Sequence, residues 1–134
     1  MIEFTVYGCP FGKERPRVTR YATYTPQKTK DYEKLVQDCY FAQSVKQGVK
    51  MALGAVLIEI RAFYQIPKQM PKKQQMAALN GKRPTKKPDY DNIGKIITDA
   101  LNKIAYIDDA YVVDAHIMKF YSDNPRVEIK IEEI

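Results

Sequence analysis

Histidine and cysteine are nearly missing from this sequence: His116 stands alone, and the thiols are Cys9 and Cys39. A hydrolase built on a histidine base or a cysteine nucleophile has little to work with, since His116 falls in the middle of a strand-like stretch. The two cysteines follow no metal-ligand spacing, and a pair so far apart reads as reduced cytosolic thiols, not as a disulfide framework. No apolar run approaches a membrane span, and the opening MIEFTVYGCP is too short and too mixed for a signal peptide. A soluble, cytoplasmic protein with no membrane partner is the expectation. Repeats, low-complexity tracts and flexible linkers are absent too, so residues 1–134 read as one domain. A chain of this length buries roughly two thirds of the surface its unfolded form exposes and needs no staples.

Opposing charge is also missing, locally. From Arg61 to Lys87 there are eight basic residues and no acid, and from Lys13 to Lys30 six basic residues face only Glu14. From Asp89 onward the balance reverses, with ten acids against five bases, while the whole chain carries +6. A basic body with a compact acidic module suits a protein that binds a polyanion and also holds cations. A merely solvated charged surface is the plainer alternative.

Apolar periodicity then sets out the elements. Glu3 to Tyr7 alternates as a strand, with Phe4 and Val6 on one side. The polar, basic, tyrosine-rich GKERPRVTRYATYTP follows as a loop and a short extended segment. A helix comes next, capped by Thr25 or Thr29, with Pro26 in its first turn and Gly48 as its stop. Its apolar stripe is Tyr32, Leu35, Val36, Cys39 and Tyr40. Ala55 to Tyr64 is a strand with Val56, Ile58, Ile60 and Ala62 on one face. Pro71 to Leu79 can make a short surface helix closed by Asn80-Gly81. A second main helix starts at Asp91, carrying Ile93, Ile96, Ile97, Ala100, Leu101 and Ile104 at helical spacing. Strands over Tyr111–Tyr121 and Arg126–Glu132, joined by the turn Ser122-Asp123-Asn124-Pro125, finish the chain. The order β-α-β-(short α)-α-β-β predicts an α+β domain with two main helices on one mixed sheet.

The acidic module, KKPDYDNIGKIITDALNKIAYIDDAYVV, holds the candidate chemistry. Asp89 and Asp91 project from the same side of an extended segment entering the helix. Lys95 and Asp99 follow at one-turn intervals on the helical face of Asp91. A helix from Asp91 to about Asn102 is roughly 17–18 Å long. An extended Lys103–Asp109 covers roughly 20 Å, so the chain can return Asp108 and Asp109 to the start of the helix. Carboxylates gathered there suit Mg²⁺, which takes hard oxygen ligands and keeps its waters. Such ions activate a nucleophile and stabilise the leaving oxygen in phosphodiester hydrolysis. Lys95 can balance the carboxylates and polarise the phosphate. Taken singly, each feature also has a structural reading. Asp91 reads as an N-cap, Asp99 with Lys95 as a surface i, i+4 pair, and Asp108-Asp109 as a turn.

Together, Asp89-x-Asp91-Asn92-x-x-Lys95, Asp99-Ala100-Leu101-Asn102 and Asp108-Asp109 resemble the core motif of the RusA family of Holliday-junction resolvases. Gly12-Lys13-x-Arg15-Pro16-Arg17, Tyr24-Thr25-Pro26 and Tyr32 are similar to that family's N-terminal basic stretch, and Lys119-x-Tyr121 fits downstream. The resemblance implies a homodimer that binds four-way DNA junctions and nicks two strands symmetrically with Mg²⁺, for which Mn²⁺ can substitute. Position by position it implies Asp89, Asp91 and Asp109 as metal ligands and Lys95 as the catalytic lysine, with Asp99 and Asp108 supporting. Lys103 departs from the pattern, standing where many relatives carry glycine. For the DNA backbone, Lys13, Arg15, Arg17, Arg20, Lys82, Arg83, Lys86 and Lys87 are the candidates. Tyr21 and Tyr24 read either as stacking partners for unpaired bases or as plain packing. Two rivals stay open. One is a metal-dependent nuclease of other branched or single-stranded nucleic acid. The other is a non-catalytic DNA-binding module, disfavoured because the EF-hand order D-x-D-x-D-G is absent.

Overall fold

Alternation on three of the four strands of the main sheet gives it one apolar face, and two helices cover it. The structure is a computed structural model describing residues 1–134. It runs β1 (Ile2–Tyr7), β2 (Arg17–Val18), β3 (Thr23–Tyr24), α1 (Gln27–Gln47), β4 (Val56–Gln65), α2 (Lys72–Leu79), α3 (Tyr90–Leu101), β5 (Val112–Ser122) and β6 (Arg126–Glu133). A 3₁₀ turn at Asp109–Tyr111 precedes β5. The main sheet has the order β1-β6-β4-β5, antiparallel except for the β4–β5 pair, so the α+β expectation with a mixed sheet stands. That parallel pair needs a crossover, and α2 and α3 supply it.

Ile2, Phe4 and Val6 of β1, Val56 to Tyr64 of β4 at every second position, and Val127, Ile129 and Ile131 of β6 form the buried face. Val36 and Tyr40 of α1 and Ile93, Ile96, Ile97, Ala100 and Leu101 of α3 close over it. Helix α3 lies so near β5 that a side chain at Gly94 would run into the end of Ile117. The Gln37 side-chain amide donates to the Ala100 carbonyl at 3.0 Å, joining α1 to the end of α3.

Local differences from the sequence reading have simple causes. Pro26 is the N-cap of α1 and no side chain caps it, because the Thr29 hydroxyl donates instead to Glu14 at 3.1 Å. Leu35, expected in the buried stripe, is exposed. It lies about 100° around the helix from Val36, which faces the core directly. Helix α3 starts at Tyr90, with Asp89 and not Asp91 at its N-cap. The basic stretch between β1 and α1 forms a small antiparallel hairpin, β2 with β3, in place of a single extended segment.

Candidate active site

What brings the two ends of the acidic module together is the turn after α3. Asn102 leaves the helix, Lys103 takes a left-handed φ of +64°, and the chain doubles back through buried Ala105 and Tyr106. The Tyr106 hydroxyl donates to the Thr98 carbonyl at 2.7 Å, holding the returning segment along α3. Asp108 then caps the 3₁₀ turn by accepting from the Ala110 N–H at 3.2 Å. Asp109 therefore lines one cavity with Asp91, Lys95 and Asp99, floored by Ile58, Ile60 and Ile117. At about 440 Å³ this space admits far more than a single ion.

The cavity is short of positive charge. Burial pushes the Asp109 carboxyl above its ordinary pKa, neighbouring Asp99 and Asp108 add to the rise, and Lys95 opposes it. The Lys95 amine stands 3.9 Å from Asp99, but Asp99 has a closer partner in Lys13 at 3.2 Å. Lys13 is also 3.1 Å from Glu33 and only 15% exposed. Burial alone would lower its pKa, but Glu33 and Asp99 outweigh that and hold it raised. Lys13 is thus committed inside the protein, which leaves Lys95, 62% exposed, as the amine facing outward.

Asp89 faces a different way. It lines a neighbouring cleft with Gly12, Lys13, Lys28, Lys87 and Asn92. A third cleft, walled by Arg15, Pro16 and Thr25, shares Lys13 and Asn92 with that one and Lys95 and Asp99 with the carboxylate cavity. The three spaces wrap the N-terminal half of α3. Asp91 and Asp109 share the first, and Asp89 opens on the second.

The loop leading to Asp89 is held by donors that sequence reasoning did not single out. The Lys119 amine donates to the Lys86 carbonyl at 2.7 Å, and the Tyr64 hydroxyl donates to the Pro88 carbonyl. Burial, with Asp89 second, pushes the Tyr64 hydroxyl up to about 12, so it stays a donor across the working range of pH. A Cβ on Gly12 would come within 2.8 Å of Pro88, and the Lys13 N–H donates to the Asn92 carbonyl at 2.9 Å. The signal for Tyr64 was a hydroxyl placed on the apolar face of a strand, where it needs a partner.

The remaining basic candidates divide by setting. Arg15 and Lys87 line the clefts. Arg17 and Arg20 stand exposed on the hairpin, and Lys82 is exposed beyond α2. The Arg83 guanidinium lies 4.1 Å over the Phe120 ring, which stacks on Phe63, which in turn lies under Arg126 at 3.9 Å. Lys86 sits 5.8 Å over Tyr121. Both anchor the basic loop to the sheet.

Whether these residues suit a divalent cation can be judged from their donors. No three histidine, cysteine or carboxylate side chains stand together at coordinating distance. The donor chemistry nonetheless fits: Asp91 and Asp109 are hard oxygen ligands on one cavity, and the carboxylates around Asp109 lack full compensation. The Asp89 side chain makes no capping bond, so its oxygens are uncommitted at the helix terminus.

The α+β fold sets carboxylates and an amine among arginine- and lysine-lined clefts, a donor set chemically suited to nucleic-acid hydrolysis. Residues 8–132 match the family described as "Endodeoxyribonuclease RusA", and the chain belongs to that family of nucleases. It is 36% identical over 140 residues to "Uncharacterized protein YqaN" of Bacillus subtilis (strain 168), an alignment covering 99% of this chain and 96% of that relative. No helix is long and apolar enough to cross a membrane.

Proposed function

We propose that this protein is a Mg²⁺-dependent, structure-selective endodeoxyribonuclease that resolves four-way DNA junctions. It acts as a cytoplasmic homodimer making paired symmetric nicks in DNA recombination and repair. The observation that supports this reading most is the shared cavity of Asp91, Lys95, Asp99 and Asp109, bordered by basic clefts on the α3 side. Membership of an endodeoxyribonuclease family adds the substrate class.

Asp89, Asp91 and Asp109 would hold Mg²⁺, or Mn²⁺ in its place, which when bound activates a water and neutralises the phosphate. The chain's own residues do the rest. Lys95 offers its ammonium to a non-bridging phosphate oxygen from the face it shares with Asp91. Lys13 neutralises Asp99, so Lys95 is not drawn fully onto its neighbour. Asp108 fixes the turn that presents Asp109. Arg15, Arg17, Arg20, Lys82 and Lys87 hold backbone phosphates, contacts that position DNA without reading its bases.

The test compares cutting of a mobile four-way junction, a flap and a linear duplex, with and without Mg²⁺, by wild type and Asp91→Asn. Junction cutting by wild type alone, and only with metal, is expected, while the variant still binds. Full cleavage by Asp91→Asn would overturn the site assignment. Preference for flaps or single strands would favour a nuclease of other branched DNA. Binding without cutting under any metal would favour a non-catalytic module.

A further inference from the structure

The β2–β3 hairpin is built like a tool rather than a part of the core. Every residue from Arg15 to Tyr24 is exposed. Val18 is 79% and Tyr21 89% exposed, so two large apolar side chains stand in solvent, away from the core. A ribbon with two pairs of facing residues is marginal by itself. Its turn is therefore tied locally: the Thr19 N–H donates to the Ala22 carbonyl at 2.7 Å, and the Thr19 hydroxyl accepts from the Ala22 N–H at 3.0 Å. These bonds hold Arg20 and Tyr21 at the tip. The root is fixed by Glu14 against Thr29 and by buried Pro26.

Two further observations say what the tip meets. The stretch from Arg15 to Lys30 contains five basic residues and no acid, so the surface that covers it is anionic. The root, at Arg15, Pro16 and Thr25, forms one wall of the cleft that contains Lys95 and Asp99. A polymer lying in that cleft therefore borders the root of the hairpin. From Pro16 to the turn at Thr19 the arm reaches roughly 10 Å, and the Tyr21 side chain extends from its tip, enough to bring the ring past a phosphate backbone.

We propose that the hairpin is a wedge: Tyr21, supported by Val18, stacks on an opened base step at the DNA branch point, while Arg17 and Arg20 grip the flanking phosphates. Apolar wedges unstack and kink DNA in this way, and aromatic stacking tolerates any base. The inference rests on the nuclease reading for its substrate and deepens it, by making an openable base step the feature that is selected.

The test uses the full chain and a four-way junction with 2-aminopurine at the branch point. In metal-free buffer, wild type should raise the fluorescence of the unstacked analogue. In Mg²⁺ the same junction is cut. Tyr21→Ala should abolish the fluorescence rise and slow cutting about tenfold, with melting temperature and salt dependence of binding unchanged. Tyr21→Phe should restore both signals. Arg17→Ala should instead weaken binding to all DNA and lower the salt slope by about one. A junction with unpaired nucleotides at its branch point should rescue cutting by Tyr21→Ala. If Tyr21→Ala matches wild type in fluorescence and cutting, the wedge is refuted and the nuclease reading stands. If wild type raises fluorescence but cuts with neither Mg²⁺ nor Mn²⁺, the nuclease reading fails and the wedge stands. Failure of wild type to bind the junction refutes both.

Discussion

Two side chains, Lys13 and Tyr64, carry more of the site's geometry than their types suggest. Lys13 reads from sequence as a phosphate contact, yet it is drawn inward to Glu33 and Asp99. Lys13→Met should cost about 2 kcal/mol in urea unfolding, the scale of hydrogen bonds to charged groups, and leave the salt slope of DNA binding unchanged. The pH sign follows from its raised pKa: the contribution is complete below 10.5 and is lost as pH rises through the higher folded value. Wild type and Lys13→Met should therefore converge in stability only in strongly alkaline buffer. Tyr64→Phe keeps the ring but leaves the Pro88 carbonyl without its donor. The expected result is a loss of about 1 kcal/mol and a several-fold fall in cutting rate at unchanged KM. Unchanged turnover would show that Asp89 does not need this support. Asp109→Asn removes a carboxylate from a crowded cavity. It should raise the melting temperature of the metal-free protein slightly near neutral pH while abolishing both cutting and the stabilisation caused by added Mg²⁺.

Elements were legible wherever burial imposes a period. The alternation in β1, β4 and β6 and the i, i+3, i+4 spacing of α3 both marked core faces that the structure buries. Chain lengths allowed the return of Asp109 to α3, and in the structure Asp109 lines one cavity with Asp91. What escaped was set by tertiary partners. The pairing of Lys13 depends on Glu33, twenty residues away, and the hairpin has no apolar face to announce it. The direction of Asp89, onto a cleft beside the one that holds Asp109, depends on how α3 begins. Lys103 is the exception, where a departure from the family pattern pointed at a real conformation. Its φ of +64° is ordinary for glycine and strained for lysine. Lys103→Gly should stabilise the protein by about 1 kcal/mol, read as a rise of a few degrees in thermal unfolding.

At the scale of the whole molecule, the sheet divides the labour. One face is filled by α1 and α3, and the carboxylate cavity lies over its β4–β5 side. The other face is polar at its centre, where cross-strand rows such as Glu3, Lys130, Glu59 and His116 mix charge, and at one end it carries the Phe63–Phe120 stack under Arg83 and Arg126. Strands β4 and β5 run parallel, and Tyr64 and Lys119 near their ends hold the same loop. The scaffold thus fixes the approach to Asp89 by two neighbouring strands at once, which places the chemistry on rigid elements.

That hairpin interrupts the chain between two firmly embedded pieces. Upstream, β1 is zipped to β6 from Ile2 to Tyr7, and downstream α1 is plugged into the core by Val36 and Tyr40. Severing the backbone at Arg20 with trypsin should therefore yield a nicked but undissociated molecule that melts as one unit. Both fragments should appear only on a denaturing gel, and the severed tip should no longer prise bases apart.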